Sequence, residues 1–232
     1  MNDAAMSGID VWSRGTNDIE LSFDVALSVL SPDECMRAER YRDEAKRQRW
    51  AASRCFLRQV LSRYVDEPPE AIRFDRLPQG KLVLSDHPSL HFSLSHAGEL
   101  TVVAVTTTNP VGVDIEPLRP YAELTGAVAI SMTPRERDIL DALPASKRAR
   151  WFLHGWTCKE AILKATGAGI DDQLLKLEVS LDPNVPRVVA WDNRYEENWF
   201  LQTFAPDKRH IGAIAMKSQG THEINVVQRT LG

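Results

Sequence analysis

The strongest constraint on the fold is a pattern of helix-start signals and strand-like segments that occurs twice along the chain. "SPDE" at 31–34 and "TPRE" at 133–136 each combine a hydroxyl N-cap, a proline at the first helical position and a glutamate at the third. A helical region containing a tryptophan follows each signal, and short segments of alternating apolar and polar residues come next. This order predicts one α+β unit that is used twice.

The division between the two units is predicted near "TTTNP" at 106–110, where polar residues and a proline separate two strand-like segments. This division gives an N-terminal lobe over residues 1–109 and a C-terminal lobe over residues 110–232. Clefts between domains commonly hold ligands, so residues beside the division are candidates for a functional site.

The composition, with 43% hydrophobic and 26% charged residues, is typical of an ordinary soluble globular protein. No apolar run approaches the roughly 20 residues that span a bilayer, so no membrane attachment is predicted. The first residues lack a basic start followed by an apolar stretch, and no export signal is therefore expected. Cys35, Cys55 and Cys158 are widely spaced and form no CxxC pair. They are expected to be buried free thiols, which favours a cytoplasmic protein.

A basic segment stands out against the net charge of −4. Between Arg37 and Arg63, nine basic residues face three acidic ones, which gives this segment a local charge of +6. A basic patch on an acidic protein favours a discrete anionic ligand over nucleic acid, because a nucleic-acid-binding domain would be basic overall. A solvated helix face explains the same pattern equally well at this point.

The segment "VGVDIE" at 111–116 alternates strictly and is predicted to be a β-strand. Val111, Val113 and Ile115 would then face a core. Asp114 and Glu116 would share the opposite face, only about 6 to 7 Å apart. Two like charges at this distance repel each other, so a cation is expected between them.

The helix predicted over "RWFLHGWTCKEAILKATGAG" at 150–169 carries a third unusual carboxylate. On a helical wheel, Glu160 lies within the apolar stripe around Trp156, and Lys159 lies at its margin. An unpaired buried carboxylate costs several kcal/mol, so Glu160 requires a cation or a water-filled cleft. An i,i+4 ion pair with Lys164 is the ordinary alternative, although such a pair contributes only about 0.2 to 0.5 kcal/mol on an exposed face.

Oxygen-only ligation by these three carboxylates indicates magnesium rather than zinc. Magnesium usually completes its coordination with substrate phosphate oxygens, so the expected ligand is a phosphate ester or anhydride. The arginine cluster, Lys159 and Lys164 would hold its remaining charge. The chain contains no GxSxG, GxxxxGK[ST], HExxH or GxGxxG motif, so the group that accepts a transferred phosphoryl unit is expected to come from another molecule.

The segment "HFSLSHAG" at 91–98 offers further phosphate ligands. Ser95 and His96 follow a strand-like stretch and precede a glycine, where a turn presents hydroxyl, imidazole and backbone donors. An ordinary surface histidine is the simpler interpretation of His96 on this pattern alone.

Taken in order, "QGKLVL", "HFSLSHAG", "VGVDIE" and "WTCKEAILKATGAG" resemble the motifs of the 4′-phosphopantetheinyl transferases. The resemblance is closest to the large, two-lobed, surfactin-synthetase-activating type. It implies an α+β fold of two similar subdomains in a pseudo-twofold arrangement, each packing a small antiparallel sheet on a long helix. It also implies magnesium-dependent transfer of 4′-phosphopantetheine from coenzyme A to a serine of an apo acyl or peptidyl carrier protein. Adenosine 3′,5′-bisphosphate would be released, and a monomer that uses neither nucleic acid nor membrane is expected.

The resemblance also implies roles for individual residues. Asp114, Glu116 and Glu160 would hold the metal, and Glu160 would act as base toward the carrier serine, directly or through a water on the metal. Glu160, Asp114 and Lys159 form the implied catalytic group. The implied coenzyme A contacts, which also include Asp114, are Arg47, Arg49, Arg54, Lys81 near the adenine, Ser95 and His96 at the 3′-phosphate, and the phosphate-binding Lys159 and Lys164.

Two positions depart from the family pattern. The usual GKP reads "GKL", with Leu82 in place of proline, and Glu34 occupies a position after the first helix cap that is often basic. The phosphate contact expected at this position would be absent or supplied by Arg37. Another magnesium-dependent phosphate-ester enzyme and a non-catalytic module that binds carrier proteins remain as alternative functions.

Overall fold

The computed structural model describes residues 8–15, 23–169, 173–192, 194, 198–218 and 224–231. The predicted α+β fold is confirmed. The α-helices are α1 (Phe23–Val29), α2 (Pro32–Glu39), α3 (Glu44–Leu61), α4 (Thr125–Ser131), α5 (Pro134–Ala142) and α6 (Ala145–Thr166). The strands are β1 (Gly8–Gly15), β2 (Phe74–Arg76), β3 (Leu82–Leu84), β4 (His91–Ala97), β5 (Leu100–Thr106), β6 (Val111–Pro117), β7 (Leu177–Val179), β8 (Val188–Trp191), β9 (Trp199–Phe204), β10 (His210–Lys217) and β11 (Asn225–Thr230).

Two sheets form the centre of the molecule. One has the strand order β11-β1-β5-β4, and the other has the order β6-β10-β9. All neighbouring strands in them run antiparallel except β11, which runs parallel to β1. The C-terminal strand β11 therefore pairs with the sheet of the N-terminal lobe, although the predicted division at 109/110 assigns it to the other lobe. The pseudo-twofold arrangement stays a prediction.

Both predicted capping boxes are present. Ser31 starts α2 and Thr133 starts α5, and in each case the hydroxyl accepts a backbone N–H while the glutamate side chain accepts the N–H of the cap residue. Each box satisfies two backbone donors that have no partner inside the helix. The start signals therefore set where α2 and α5 begin.

The N-terminal core lies between α3 and its sheet. Phe56, Leu57 and Val60 from α3 pack with Val103 and Val105 from β5 in one buried cluster. A second cluster joins the two sheets, with Val102 and Ala104 on one side and Val113, Ile115 and Ile214 on the other. The two sheets therefore share one part of the core.

The C-terminal core surrounds α6, which contacts β6 and β10 on one side and α5 and β7 on others. Gly112 allows the closest approach of α6 to β6, because a Cβ atom at this position would lie 1.8 Å from the carbonyl oxygen of Ala161. Only glycine fits so close to a neighbouring backbone. The contact brings the last turns of α6 over the face of β6 that carries Asp114. No helix in the described ranges has the length and hydropathy of a membrane span.

Candidate active site

Strand β6 presents its side chains as its alternation predicts. Val111, Val113 and Ile115 are buried in the core between the sheets, and Asp114 on the opposite face is only 4% exposed. Glu116 is half-buried. The strand therefore holds one deeply buried and one partly exposed carboxylate on the face that α6 covers.

Asp114 is bound by side chains from both lobes. Its Oδ1 accepts a hydrogen bond from the Lys164 ammonium at 2.7 Å and another from the Ser95 hydroxyl at 2.9 Å. Its Oδ2 is buried and has no hydrogen-bond partner among the described residues. A buried carboxylate oxygen without a partner is costly, and it marks a position where a ligand or cation would be stabilised.

Glu116 lies at the more open end of the same face. Its Oε1 accepts the indole N–H of Trp156 at 3.1 Å, and its Oε2 accepts from Arg119 at 3.0 Å. Burial and the charge of Asp114 raise the pKa of Glu116 above its ordinary value, although Arg119 and Trp156 oppose this effect. The two carboxylates of β6 therefore repel each other, as their spacing predicts.

Glu160 lies on α6 and is 9% exposed, in agreement with its position in the apolar stripe. Burial raises the pKa of Glu160 to about 7, with further contributions from Asp114 and Glu116 and opposition from Lys164. The three acids are thus close enough to influence one another electrostatically. A carboxyl group with a pKa near neutrality can exchange a proton under physiological conditions.

The donor chemistry of this region fits a hard divalent cation. The fit rests on the unpartnered Oδ2 of Asp114 and on the raised pKa values of Glu116 and Glu160, to which neighbouring carboxylates contribute. Within the described ranges, however, no three or more His, Cys, Asp or Glu side chains are arranged as a set that could hold a metal ion. Asp114 and Glu116 are instead paired with Lys164 and Arg119. The metal role of Asp114, Glu116 and Glu160 therefore stays a prediction.

Lys159 requires a correction. The structure encloses its ammonium group in the core, 2.5 Å from Oε2 of Glu136 and within hydrogen-bond distance of the carbonyl oxygens of Ser131 and Leu174. Neither Lys159 nor Glu136 has exposed surface. The prediction from the helical wheel placed Lys159 at the margin of a single apolar stripe, whereas α6 is buried on almost all sides. Lys159 does not reach the carboxylate face in this structure, so a phosphate contact by this residue is not supported.

Lys164 lies where the sequence predicts a cation. Besides Asp114, its ammonium contacts the Ser95 hydroxyl at 3.1 Å, and it lines a large cavity. Partial burial and Lys164 lower the pKa of His96, with Asp114 opposing and Arg49 adding to the effect. Ser95, His96, Asp114 and Lys164 therefore belong to one electrostatic network at the junction of the lobes.

A cavity of about 1210 Å³ lies next to this network. Its walls come from α2, α3, β2, β4 and the end of α6. The basic side chains among its described lining residues are Arg37, Arg40, Arg54, Arg58, Arg73, Arg76, Lys81 and Lys164, against the acidic Asp33, Glu34 and Glu70. The cavity is large for a small-molecule site, and its charge favours an extended anionic ligand.

The predicted early arginines occupy different positions. Arg54 lines the cavity but is held by Glu34, whose Oε1 accepts from its Nε at 2.7 Å, and Arg58 binds the other oxygen at 2.8 Å. Arg47 pairs with Glu44 on the same helix. Arg49 is half-buried and influences His96. Of Arg47, Arg49 and Arg54, only Arg54 is a cavity wall residue, and its charge is already paired.

Glu34 explains why Arg54 and Arg58 can be buried. Burial opposes its ionisation, but Arg54 and Arg58, with the Ser31 N–H, hold the pKa of Glu34 below its ordinary value. Both guanidinium groups also lie about 5 Å from the ring of Phe74. The exposed Arg37 and Arg40, which also line the cavity, are here called the cationic rim, and they are better placed than Arg54 and Arg58 to meet a ligand charge.

Lys81, which immediately precedes β3, binds the end of α6. Its ammonium donates to the carbonyl oxygens of Lys164 at 2.7 Å and Ala165 at 2.8 Å, at the C-terminal end of α6. Burial lowers the pKa of Lys81 to about 8. The side chain lines the cavity, which is compatible with the predicted contact to an adenine, although its ammonium group is already hydrogen-bonded to α6.

Sequence reasoning missed several residues of this site. The helical wheel indicates Trp156 as the centre of an apolar stripe, but it does not show that the indole N–H of this residue binds Glu116. Its position four residues before Glu160, on the same helix face, was the available signal. Arg73 and Arg76 line the cavity from the loop before β2 and from β2. They lie outside the basic segment, and no sequence pattern indicates a role in ligand binding. Ser93 also lines the cavity and binds β6, and no signal marked it apart from its spacing to Ser95.

Comparisons with known proteins identify the family of the chain. The model of the 4′-phosphopantetheinyl transferase superfamily matches residues 110–215, and the model of the N-terminal part of 4′-phosphopantetheinyl transferases matches residues 16–108. The 4′-phosphopantetheinyl transferase HetI of Nostoc sp. is 34% identical over 91% of this chain and 89% of its own length. The 4′-phosphopantetheinyl transferase psf-1 of Bacillus pumilus is 30% identical over 80% and 78%, respectively. Sfp of Bacillus subtilis, which carries the same description, is 28% identical over 67% and 68%. The chain belongs to the 4′-phosphopantetheinyl transferase superfamily.

Proposed function

We propose that this protein transfers the 4′-phosphopantetheine group of coenzyme A to a serine hydroxyl of an apo acyl or peptidyl carrier protein. In this reaction the serine Oγ forms a bond to the β-phosphorus of the pyrophosphate. The bond from this phosphorus to the bridging oxygen breaks, and adenosine 3′,5′-bisphosphate leaves with the electron pair. The serine proton passes to a base on the enzyme.

The observation that best supports this proposal is that the basic cavity adjoins the electrostatic network of Ser95, His96, Asp114 and Lys164. Lys164 belongs to both, since it lines the cavity and binds Asp114 at 2.7 Å. A nucleotide held by the cationic rim would place its pyrophosphate beside Lys164, next to the three carboxylates. Positive charge for the phosphates and a base for the acceptor are thus adjacent, as phosphoryl transfer requires.

Glu160 is the base in this proposal. Its raised pKa, about 7, lets it accept a proton near neutral pH and remain largely buried. Asp114 orients Lys164 and Ser95 by accepting a hydrogen bond from each. Ser95 and His96 lie beside Lys164 and are proposed to meet a phosphate group of the donor.

Asp114, Glu116 and Glu160 would hold a magnesium ion. When bound, this ion would neutralise charge on the pyrophosphate and offset the repulsion among the carboxylates. Lys164 now binds one oxygen of Asp114 and Arg119 binds one oxygen of Glu116, so both side chains would compete with a metal ion for these carboxylates. The donor phosphates offer Lys164 an alternative partner.

The experiment is a mass-shift assay with a panel of apo carrier proteins, coenzyme A and Mg²⁺. One added phosphopantetheine mass on a carrier is the expected result, and Glu160→Gln should reduce the rate by at least about a hundredfold. Glu123→Gln, a matched change on an exposed 3₁₀ turn, should retain wild-type activity. No mass gain on any carrier by the folded protein would refute the transfer. Undiminished transfer in the presence of EDTA would show that the reaction needs no divalent metal, but it would not contradict the transfer itself.

We further propose that one chain acts as a monomer in the cytoplasm. A single chain supplies both walls of the cavity and all three carboxylates. Cys35, Cys55 and Cys158 are free thiols, which is usual in a reducing compartment; Cys55 and Cys158 are buried as expected, whereas Cys35 is half-buried. Light scattering at assay concentration tests the oligomeric state.

A further inference from the structure

The two sheets meet edge to edge without forming a common ladder. Strand β4 is the outer strand of one sheet and β6 is the outer strand of the other, and no backbone pairing joins them within the described strands. Because β6 pairs with β10 on its other side, alternate N–H groups of β6 point toward β4. These N–H groups are buried and need partners.

Two serine hydroxyls provide those partners. Ser93 Oγ accepts the N–H of Val113 at 3.0 Å, and Ser95 Oγ accepts the N–H of Ile115 at 3.3 Å. Both serines are buried, with 7% and 4% of their surface exposed. The two donors lie two positions apart on β6 and the two acceptors lie two positions apart on β4, so the spacings match. Asp114 is the residue between the two donors.

We propose that Ser93 is a positioning residue for Asp114. It fixes one side of the strand segment that carries this carboxylate, and Ser95 fixes the other. Ser95 has further partners in Asp114 and Lys164, so its hydrogen bond to Ile115 competes with other contacts. Ser93 makes no other side-chain hydrogen bond within the described residues, although the residue also lines the cavity. Loss of the Ser93 hydroxyl would therefore let β6 shift relative to β4 and move Asp114 away from Ser95 and Lys164.

The catalytic part of this inference rests on the proposed transfer, but its structural part is testable without activity. Amide hydrogen exchange of Val113 and Ile115, measured by NMR, should be at least about tenfold faster in Ser93→Ala than in wild type. Faster exchange at Ile115 is the decisive signal, because that amide binds Ser95 and not Ser93. Ser62→Ala is the matched control, since the Ser62 hydroxyl donates to Gln59 at the end of α3, away from β6. It should leave both exchange rates unchanged.

The kinetic readout separates positioning from donor binding. In the carrier assay, Ser93→Ala should lower kcat about tenfold or more and change the KM for coenzyme A less than about threefold, since small displacements of catalytic groups reduce rate. Ser93→Thr keeps the hydroxyl and should restore both kcat and slow exchange. Ser93→Cys keeps the size with a weaker acceptor and should fall between Ala and wild type, which covers the case of an unfolded alanine variant.

Three results would overturn the proposal: unchanged exchange at Ile115, unchanged kcat despite faster exchange, or a loss confined to KM. A wild-type protein that modifies no carrier would refute the proposed function instead. The exchange of Ile115 would still decide whether Ser93 positions β6.

Discussion

Lys159 and Glu136 form an ion pair in which neither side chain has exposed surface. Lys159 also donates to two backbone carbonyl oxygens, and Glu136 accepts the backbone N–H groups of Thr133 and Val179. The pair therefore ties α6 to the end of α4, the start of α5 and the strand β7. Glu160, the proposed base, is the next residue after Lys159.

Lys159→Met should destabilise the protein without weakening donor binding. Removing one partner of a buried pair leaves an uncompensated charge, and we expect a loss of about 3 to 5 kcal/mol in the free energy of unfolding. Urea unfolding measures this loss, and Lys159→Met combined with Glu136→Met should recover part of it. The KM for coenzyme A in the folded fraction should stay within about threefold of wild type. A rise confined to that KM would instead support a phosphate contact by Lys159.

Gly112→Ala should separate α6 from β6. The new Cβ would lie 1.8 Å from the Ala161 carbonyl oxygen and 2.6 Å from the Ala165 nitrogen, which are backbone atoms of α6 and cannot move aside as a flexible side chain could. We expect a loss of about 3 kcal/mol or more in the free energy of unfolding, at the upper end for overpacking. Transfer activity should also fall, because α6 carries Glu160 and Lys164.

Gly126→Ala provides the matched control for this change. A Cβ at Gly126 in α4 has no atom within 4 Å, and alanine favours a helix. The same substitution should therefore stabilise the protein by up to about 1 kcal/mol. Equal effects of the two substitutions in thermal unfolding would contradict the close approach at Gly112.

Local patterns predicted the parts of the site that depend on one element. The alternation of β6 predicted which residues face the core, and the helical wheel predicted the burial of Glu160. Both depend on periodicity within one segment, which an amino-acid sequence displays directly. The capping boxes of Ser31 and Thr133 are local for the same reason.

The parts that could not be predicted depend on partners distant in the chain. Glu136 is recognisable as a member of a capping box, but nothing local shows that its carboxylate also binds Lys159, 23 residues later. In the same way, β11 pairs with β1 across almost the full length of the chain. Glu34 can be buried because Arg54 and Arg58 bind it, whereas a count of charges along the sequence treats both arginines as available for a ligand.

Arg37→Ala should weaken coenzyme A binding with little effect on stability. Arg37 is exposed, lines the cavity and lies over the ring of Trp50, while Arg54 is neutralised by Glu34. We expect a rise of about tenfold in the dissociation constant measured by calorimetry, since a charge-assisted phosphate contact contributes about 1.5 kcal/mol or more. Arg42→Ala, an exposed change outside the cavity lining, is the control and should bind normally. Equal affinities of all three proteins would show that the rim does not hold the donor.

His154 should make the stability of the protein fall in mild acid. Burial lowers the pKa of His154 to about 4, against the effect of its hydrogen bond to the Ser180 carbonyl oxygen, and the side chain has no exposed surface. In the unfolded chain a histidine has a pKa of about 6.5, so below this pH the unfolded state takes up a proton that the folded state does not. The contribution of the neutral ring is complete above pH 6.5 and is lost progressively toward pH 4. Between pH 7.5 and 5.0 the loss from this residue should be on the order of 2 kcal/mol.

Urea unfolding of wild type and His154→Gln at both pH values measures the contribution of His154 to the pH dependence of stability, because every other titrating group is present in both proteins. Glutamine keeps a donor for the Ser180 carbonyl oxygen but cannot take up a proton in this range. The variant should therefore be less stable than wild type at pH 7.5, since it packs less well, and should lose about 2 kcal/mol less on acidification. Parallel pH profiles for the two proteins would mean that His154 is protonated in the folded state, and that the packing of α6 against the Ser180 segment accommodates a charge.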